Sequence, residues 1–531
     1  DHAKKKFTDV SDVESWMYPS IDQCKEILES KKRAKKPFYL CEYCHAMGNG
    51  PGDLRDYWEL IDADDRFVGG CIWEYTDHSV AIPDGNGGYN YTYGGDFNDF
   101  PNDGNFCVDG LVYPDRTPHT GFKEAKIAYQ PFFVDYNGDG SVRIKNRLFF
   151  TGLDDICVKW NIKSDAELIT EGEISGLMLM QREASDFPLF NPSDYNLSGN
   201  CYLTLRFCTK VDKPWAPAGY ECGMKQFKLS STPLSKSIEV EGTVEVDEDS
   251  RYIRISANGN SFVFDKPYGR LQTINHNGTD LIEKPVVLNL NRAPIDNDSQ
   301  YIEQWKTIGL NRLQQKTYRA GIIERTENKV VISADISMGS HTYDPAFRGT
   351  ITYTFLANGA LLINVNGKAT DGIEVLPRIG LQLTMPEGFE TFNFFGYGPH
   401  ESYIDKNLST YVDKFETTVT DNFEHYVRPQ ENSSHFGTKW AEIRNADGVG
   451  LYCTAEDFES FSVNAQHFTP NMLHEAKHDY ELKPLKETIF SLDYKHLSCG
   501  SASCGPKSLD KYRLLEKAFN FTFRLFPGKS E

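Results

Sequence analysis

No run of about eighteen apolar residues occurs in the 531-residue chain, so no membrane-spanning helix is expected. A charged leader followed by an apolar stretch is missing too, and no secretory signal is read. Cysteine is sparse. The 12 cysteines are spread along the sequence, far below the density of a disulfide-stapled secreted scaffold, and reduced thiols in a cytoplasm are expected. Positive charge is in short supply: 56 Lys and Arg stand against 76 Asp and Glu, for a formal charge of −20. With no basic face interleaved with aromatics, nucleic acid and anionic membrane surfaces are excluded as expected partners. The one basic run, Lys31-Lys32-Arg33-Ala34-Lys35-Lys36, reads as the solvated end of a helix.

What is present points to β structure. Aromatic residues make up 13% of the chain and glycine contributes 42 positions, a balance that fits β-rich domains with flat apolar faces suited to sugars. The length exceeds one hydrophobic core and suggests roughly three or four domains.

The first hundred or so residues alternate in period. "DVESWMYPS" (11–19) reads as a strand, "DQCKEILESKKRAKK" (22–36) as a helix with Ile27 and Leu28 inward, and "PFYLCEY" (37–43) as a second strand. "DLRDYWELI" follows with Leu54, Trp58 and Ile61 on one helical face, and "RFVGGCIWEYTDH" (66–78) is a third strand. This is the rhythm of β/α units on a parallel sheet, with Tyr18, Glu42 and Trp73 at strand C-termini, the face where a β/α barrel assembles its active site. A closed barrel takes roughly 250 residues. About half of that is here, so the expectation is the back end of a larger protein or a small open sheet. Beyond about residue 118, Asn137-Gly138, Asn258-Gly259 and Asn358-Gly359 sit between alternating apolar positions and read as antiparallel hairpin turns. "STPLSKS" (231–237) looks like a linker, which places a boundary near 236 between an immunoglobulin-sized sandwich and a larger one.

Cys41-Glu42-Tyr43-Cys44-His45 spells a C-x-x-C-H haem attachment string, and half of it suits zinc. No second C-x-x-C or H-x-x-x-H follows at finger-like spacing, and the cysteines read as small packing residues. Glu42 is the more informative residue. A carboxylate closing an apolar strand is costly to bury unless it is paired or working; the structural and catalytic readings of its position stand level. His45 is either a loop histidine satisfied by backbone or a ligand contact, and Trp73 is either core or a stacking face for a sugar. Asp96, Asp99, Asp103 and Asp109 crowd the loop 93–110 without EF-hand spacing, so Asx-turns are the expectation there.

Six separated segments carry a resemblance: "LCEYCHAMGNG", "GGCIWEYTDHS", "YGGDFNDFPNDGNFCVDGLVYPDRTPH" (93–119), "NRAPIDND" (291–298), "GYGPHESYIDK" (396–406) and "YVRPQENSSHFGTKW" (426–440). In this order they resemble the lacZ-type β-galactosidases of glycoside hydrolase family 2. The resemblance implies the last part of a TIM barrel over 1–118, an immunoglobulin-like β-sandwich over 119–236 and a large C-terminal β-sandwich over 237–531. It also implies Glu42 as the nucleophile, Tyr18 as its hydrogen-bonding partner, and His45, Trp73 and Asp103 as galactose contacts. Phe106, through its carbonyl, and Asp109 match two sodium ligands, the second usually Asn. The resemblance implies that a tryptophan of the family's site is replaced within "SASCGP" (501–506), with Cys504 nearest its position. The acid/base glutamate and the magnesium ligands of the family lie upstream of this chain. The implied protein is a cytoplasmic, homo-oligomeric hydrolase of lactose-type β-galactosides. This chain alone is then an incomplete enzyme needing an N-terminal half or complementing subunit, or else a non-catalytic carbohydrate-binding or assembly subunit.

Overall fold

The computed structural model describes residues 11–30, 36–231, 241–341 and 343–529. Lys31 to Lys35 of the basic run and the expected boundary near 236 lie outside the described residues.

Two compact units emerge. One holds the described residues up to Gly121, those from 241 to Asn407 and those from Phe415 on; the other runs from Phe122 to 231 and takes in Leu408–Lys414. In the first unit, β1 (Glu14–Met17), β2 (Phe38–Tyr43) and β3 (Phe67–Ile72) form a parallel sheet in the order β1-β2-β3. Between them lie α1 (Ile21–Glu29) and α2 (Leu54–Ala63). Ser20 starts α1 with a capping box: its hydroxyl accepts from Gln23 N at 3.2 Å and Gln23 Oε1 accepts from Ser20 N at 2.9 Å. The helix stops at Glu29, short of the 22–36 expected. Ser30 ends it in an extended conformation, and the rest of the expected span lies largely outside the described residues. In α2 the buried face carries Leu54, Tyr57 and Ile61, with Trp58 half-buried. The expected stripe is therefore rotated, because the Tyr57 hydroxyl reaches Pro19 O at 2.7 Å while Trp58 Nε1 donates to Tyr43 at 3.0 Å.

The second unit is an antiparallel two-sheet structure. One sheet pairs Ala184–Pro188, Ser141–Asn146 and Phe132–Tyr136; the other has Ile156–Ser164 and Cys201–Thr209 at its centre. Val142 and Ile144 from one sheet and Val158, Leu203 and Phe207 from the other share one core, as alternation on two facing sheets demands. The expected turns at Asn137-Gly138, Asn258-Gly259 and Asn358-Gly359 all join antiparallel neighbours.

The remainder of the first unit is a large β domain whose nine-stranded and two five-stranded sheets among the described residues enclose one apolar core. No helix among the described residues is long and apolar enough to cross a membrane. The loop that leaves β2 is keyed into this domain by polar contacts. Asn49 Nδ2 donates to Glu431 O at 2.8 Å, and Gly52 N donates to Gly500 O at 2.8 Å. Lys406 Nζ, fully enclosed, donates to Asn49 Oδ1 at 2.6 Å, Thr120 Oγ1 at 2.8 Å and Glu401 Oε1 at 2.9 Å. Two glycines make the approach possible. Gly48 has φ +58° and a Cβ there would meet the Gln430 amide, while a Cβ at Gly52 would fall on the Asp405 carboxylate.

Burial pushes the Glu401 carboxyl up, but Lys406, Tyr426 and Ser433 N outweigh it and hold it below the usual range. Its contribution to stability is thus present above the unfolded glutamate pKa of about 4.3 and is lost as pH falls below it. Lys406→Ala strands that carboxylate; the expected cost is about 3–5 kcal/mol, read as a lower denaturant midpoint at pH 7 and a smaller loss at pH 3.5.

Candidate active site

Glu42 is aimed by a bulge. On one side Trp16 pairs with Leu40 and Met17 with Glu42, skipping Cys41; on the other Leu40 pairs with Gly70 and Tyr43 with Ile72. β2 therefore carries one residue more than either neighbour between Leu40 and Tyr43. Such an insertion re-aims side chains at a strand end, and here it leaves Glu42 half-exposed while Leu40 and Tyr43 are buried. The cysteines are packing groups: Cys41 Sγ donates to Trp16 O at 3.3 Å, and burial raises the enclosed Cys44 thiol far above its ordinary pKa.

Tyr18 follows β1 directly. Its N–H donates to Glu42 O at 2.9 Å and its backbone is left-handed at φ 47°, a conformation that costs a non-glycine residue about 1–3 kcal/mol. The turn lays the phenol against the Glu42 carboxylate. Burial first, then that carboxylate, raise the hydroxyl's pKa, so it stays protonated and can donate to an anionic Glu42. Among the described residues the hydroxyl is buried and has no hydrogen-bond partner.

His45, buried, completes the wall with Trp73 and Asp109. Trp73 Nε1 donates to Asp109 Oδ2 at 3.1 Å, and His45 Nε2 lies 3.5 Å from the same oxygen. Ser503 and Asn297, residues that sequence reasoning did not single out, fix the ring from the other side. Ser503 Oγ donates to Asn297 Oδ1 at 2.8 Å; that amide is oriented by Nδ2 donating to Gly500 O at 3.1 Å and by Ser503 N donating to Oδ1 at 3.1 Å. A serine hydroxyl has one proton. With it spent on Asn297, Ser503 Oγ accepts from His45 Nδ1–H at 2.8 Å.

The remaining expected residues divide. The exposed Cys504 thiol lies close enough to feel Asp109 and Glu42, which together with partial burial raise its pKa. Asp103 is exposed on its loop and its carbonyl accepts from Phe106 N at 3.3 Å. The Phe106 ring is 6.0 Å from His45. The Oδ1 atom of Asp109 is buried and has no hydrogen-bond partner among the described residues, which suits a cation-binding oxygen. Glu74 follows Trp73, and burial and then Asp109 raise its carboxyl; Asp77 is buried 3.1 Å from His119. A cavity of about 170 Å³ opens beside Phe106 and Ser503, with Asp296, Arg428 and His474 on its wall.

Three family models match this chain: the Beta galactosidase small chain over residues 256–525, the Glycosyl hydrolases family 2 TIM barrel domain over 1–134, and Beta-galactosidase domain 4 over 142–230. The chain belongs to the lacZ-type β-galactosidases of glycosyl hydrolase family 2. The beta-galactosidase of Staphylococcus xylosus is 33% identical over 98% of this chain and 52% of its own length. That of Actinobacillus pleuropneumoniae is 32% identical over 98% and 50%, and that of Kluyveromyces lactis 28% over 97% and 50%. The chain thus spans about half the length of the curated relatives it matches. The parallel sheet is a fragment of the family's TIM barrel, and the rest is β-sandwich.

The proton position on His45 is directly measurable in this β-galactosidase family member. In long-range ¹H–¹⁵N spectra the neutral His45 ring is expected as the Nδ1–H tautomer. Ser503→Ala removes the acceptor and shifts the ring toward Nε2–H, whereas an unchanged tautomer in that variant overturns the relay.

Proposed function

We propose that this chain is the nucleophile-bearing part of a retaining β-galactosidase acting on terminal β-D-galactosides, lactose among them. The observation that carries the reading is the bulge at Glu42 on the end of β2, with the Tyr18 phenol against its carboxylate and His45, Trp73 and Asp109 joined in one cluster. Glu42 attacks the anomeric carbon, the bond to the leaving oxygen breaks, and a galactosyl ester forms that water later hydrolyses. Tyr18 holds the carboxylate's orientation by donating to the oxygen that does not attack. His45 Nε2 accepts from a sugar hydroxyl, Trp73, 41% exposed, offers its ring to the apolar face of the galactose, and Asp103 closes on another hydroxyl. Cys504 borders the leaving-group side, next to the cavity beside Phe106.

Retention needs a second carboxyl roughly 5–5.5 Å away to protonate the leaving oxygen. We assign that role to an upstream half or complementing subunit, so the chain alone is an incomplete enzyme and the intact one a homo-oligomer. The domains we assign are the barrel part over 1–118, the immunoglobulin-like sandwich over 119–236 and the large sandwich over 237–531. Asp109 Oδ1 and the Phe106 carbonyl would hold a sodium ion, which supplies positive charge for a sugar hydroxyl; magnesium belongs to the absent half.

The chain alone should turn over a chromogenic β-galactoside at background, and adding the upstream half of a family β-galactosidase should restore activity. Glu42→Gln should then lower the restored rate by roughly 10⁴-fold or more, and a 2-deoxy-2-fluorogalactoside should trap an ester on the Glu42 peptide by mass spectrometry. Restored activity indifferent to Glu42→Gln would make the chain an assembly subunit; robust turnover without the added half would place the proton donor within these residues.

A further inference from the structure

Away from Glu42, a cleft of about 350 Å³ opens between the β4–β5 hairpin (β4, Val80–Pro83; β5, Tyr89–Thr92) and the loops around Glu424 and Tyr480. It shares no lining residue with the Glu42 site. Its volume falls in the range of small-molecule sites, and two features of its wall set it apart from an ordinary surface dip.

The first is a held aromatic platform. Tyr480 is stacked on His478 at 4.9 Å and 15°, and His478 is stacked in turn on Tyr93 at 4.4 Å and 22°. The histidine is pinned by Asp96 at 2.7 Å and Glu481 at 3.0 Å. One face of Tyr480 is thus covered and its ring fixed, while 46% of the residue stays open to solvent. Across the cleft, Tyr89 and Tyr91 share one face of β5, and Tyr89 is 61% exposed. Rings held without a ligand bind with less ordering cost than mobile ones.

The second is a mixed set of polar groups. Asp479 is bound to His425 Nδ1 at 3.0 Å, Glu424 Oε1 accepts from the Tyr113 hydroxyl at 2.6 Å, and Asp115 Oδ1 accepts from Thr117 N at 2.9 Å and Oγ1 at 2.7 Å. Each carboxylate is anchored by a protein donor, which leaves it an orienting acceptor. The histidine ring and tyrosine hydroxyls add donors. Sugar hydroxyls are donors and acceptors at once, whereas a cationic side chain uses acceptors alone and an anion is repelled by the three carboxylates.

We infer that this cleft is a second carbohydrate site, binding a neutral mono- or oligosaccharide by stacking on Tyr480 and Tyr89 with hydrogen bonds to Asp479, His425 and Asp115. It is independent of the reaction assigned to Glu42, and it retains sugar without cleaving it.

The test uses the full chain carrying Glu42→Gln, so that no probe is turned over. Calorimetry and saturation-transfer NMR with lactose, cellotriose and maltotriose should show saturable binding of at least one sugar. Tyr480→Ala should weaken it by about tenfold and Tyr480→Phe by no more than about twofold, since the stack and not the hydroxyl carries the contact. Trp73→Ala should leave the binding of cellotriose and maltotriose unchanged. If Tyr480→Ala alters the circular dichroism spectrum, Tyr89→Ala serves in its place. Absence of saturable binding to all three sugars, loss with Trp73→Ala but not with the tyrosine variants, or tighter binding of a hexalysine peptide than of any sugar would each overturn the assignment.

Discussion

A lysine enclosed with its carboxylate decides where the active-site loops go. Lys406 cannot be buried alone, because an unpaired ammonium in the interior costs several kcal/mol, and its three donors find Asn49, Thr120 and Glu401. Two of these three belong to the barrel fragment and its exit. The sandwich pairs the charge with its own Glu401, but the other two contacts are made only when the loop after β2 and the segment at Thr120 are seated against it. Hydrogen bonds to a charged group are worth about 1.5–3 kcal/mol each, so the knot roughly offsets its desolvation. What remains is geometry: a displacement of the loop by one residue would leave a charge, an amide and a carboxylate unsatisfied together.

That seating reaches the chemistry through the loop 499–505. Asp405, the neighbour of Lys406, accepts from Cys499 N at 2.9 Å and Gly500 N at 2.7 Å, and Gly500 O then takes Gly52 N and Asn297 Nδ2. Three residues further on, Ser503 meets His45. The tautomer of a histidine on the barrel loop is thus set by an amide in the sandwich, and the site is a property of both segments. The Tyr18 turn works the same way at shorter range, since its left-handed backbone is held by the carbonyl of the residue that its phenol faces.

How much of this was legible depends on the reach of each interaction. Strand and helix periods made the parallel β1-β2-β3 series readable, and Asn-Gly pairs marked three hairpins, because both signals act over a few residues. The bulge at Glu42 was not, since the strand pattern does not reveal an extra residue until its two neighbours are paired with it. Trp58 was expected on the buried face of α2 and Tyr57 took that place, a choice made by Pro19 O, 38 positions away. Ser503 and Asn297 were missed for the same reason: they lie 458 and 206 positions from His45 and Ser503 respectively. A signal existed all the same. "NRAPIDND", "GYGPHESYIDK" and "YVRPQENSS" are too polar for strands in a β core, and Arg292, Asn297, Glu401, Lys406 and Glu431 are all buried. Polar runs inside a sandwich indicate that something outside it is being held.

The barrel fragment shows what is left undone. A parallel sheet normally lies between covering layers with both outer strands paired, yet among the described residues this one stops at β1 and β3. Val68 at the start of β3 is 56% exposed and Trp73 just beyond its end 41%, so apolar surface is open along this outer strand. Among the described residues the Tyr18 hydroxyl and Asp109 Oδ1 are buried without a hydrogen-bond partner. Unpaired strand edges, open apolar side chains and unsatisfied oxygens thus occur together among the described residues of the fragment. Each costs free energy as it stands, and strands added next to β1 or β3 would relieve the edges and cover the apolar side chains together.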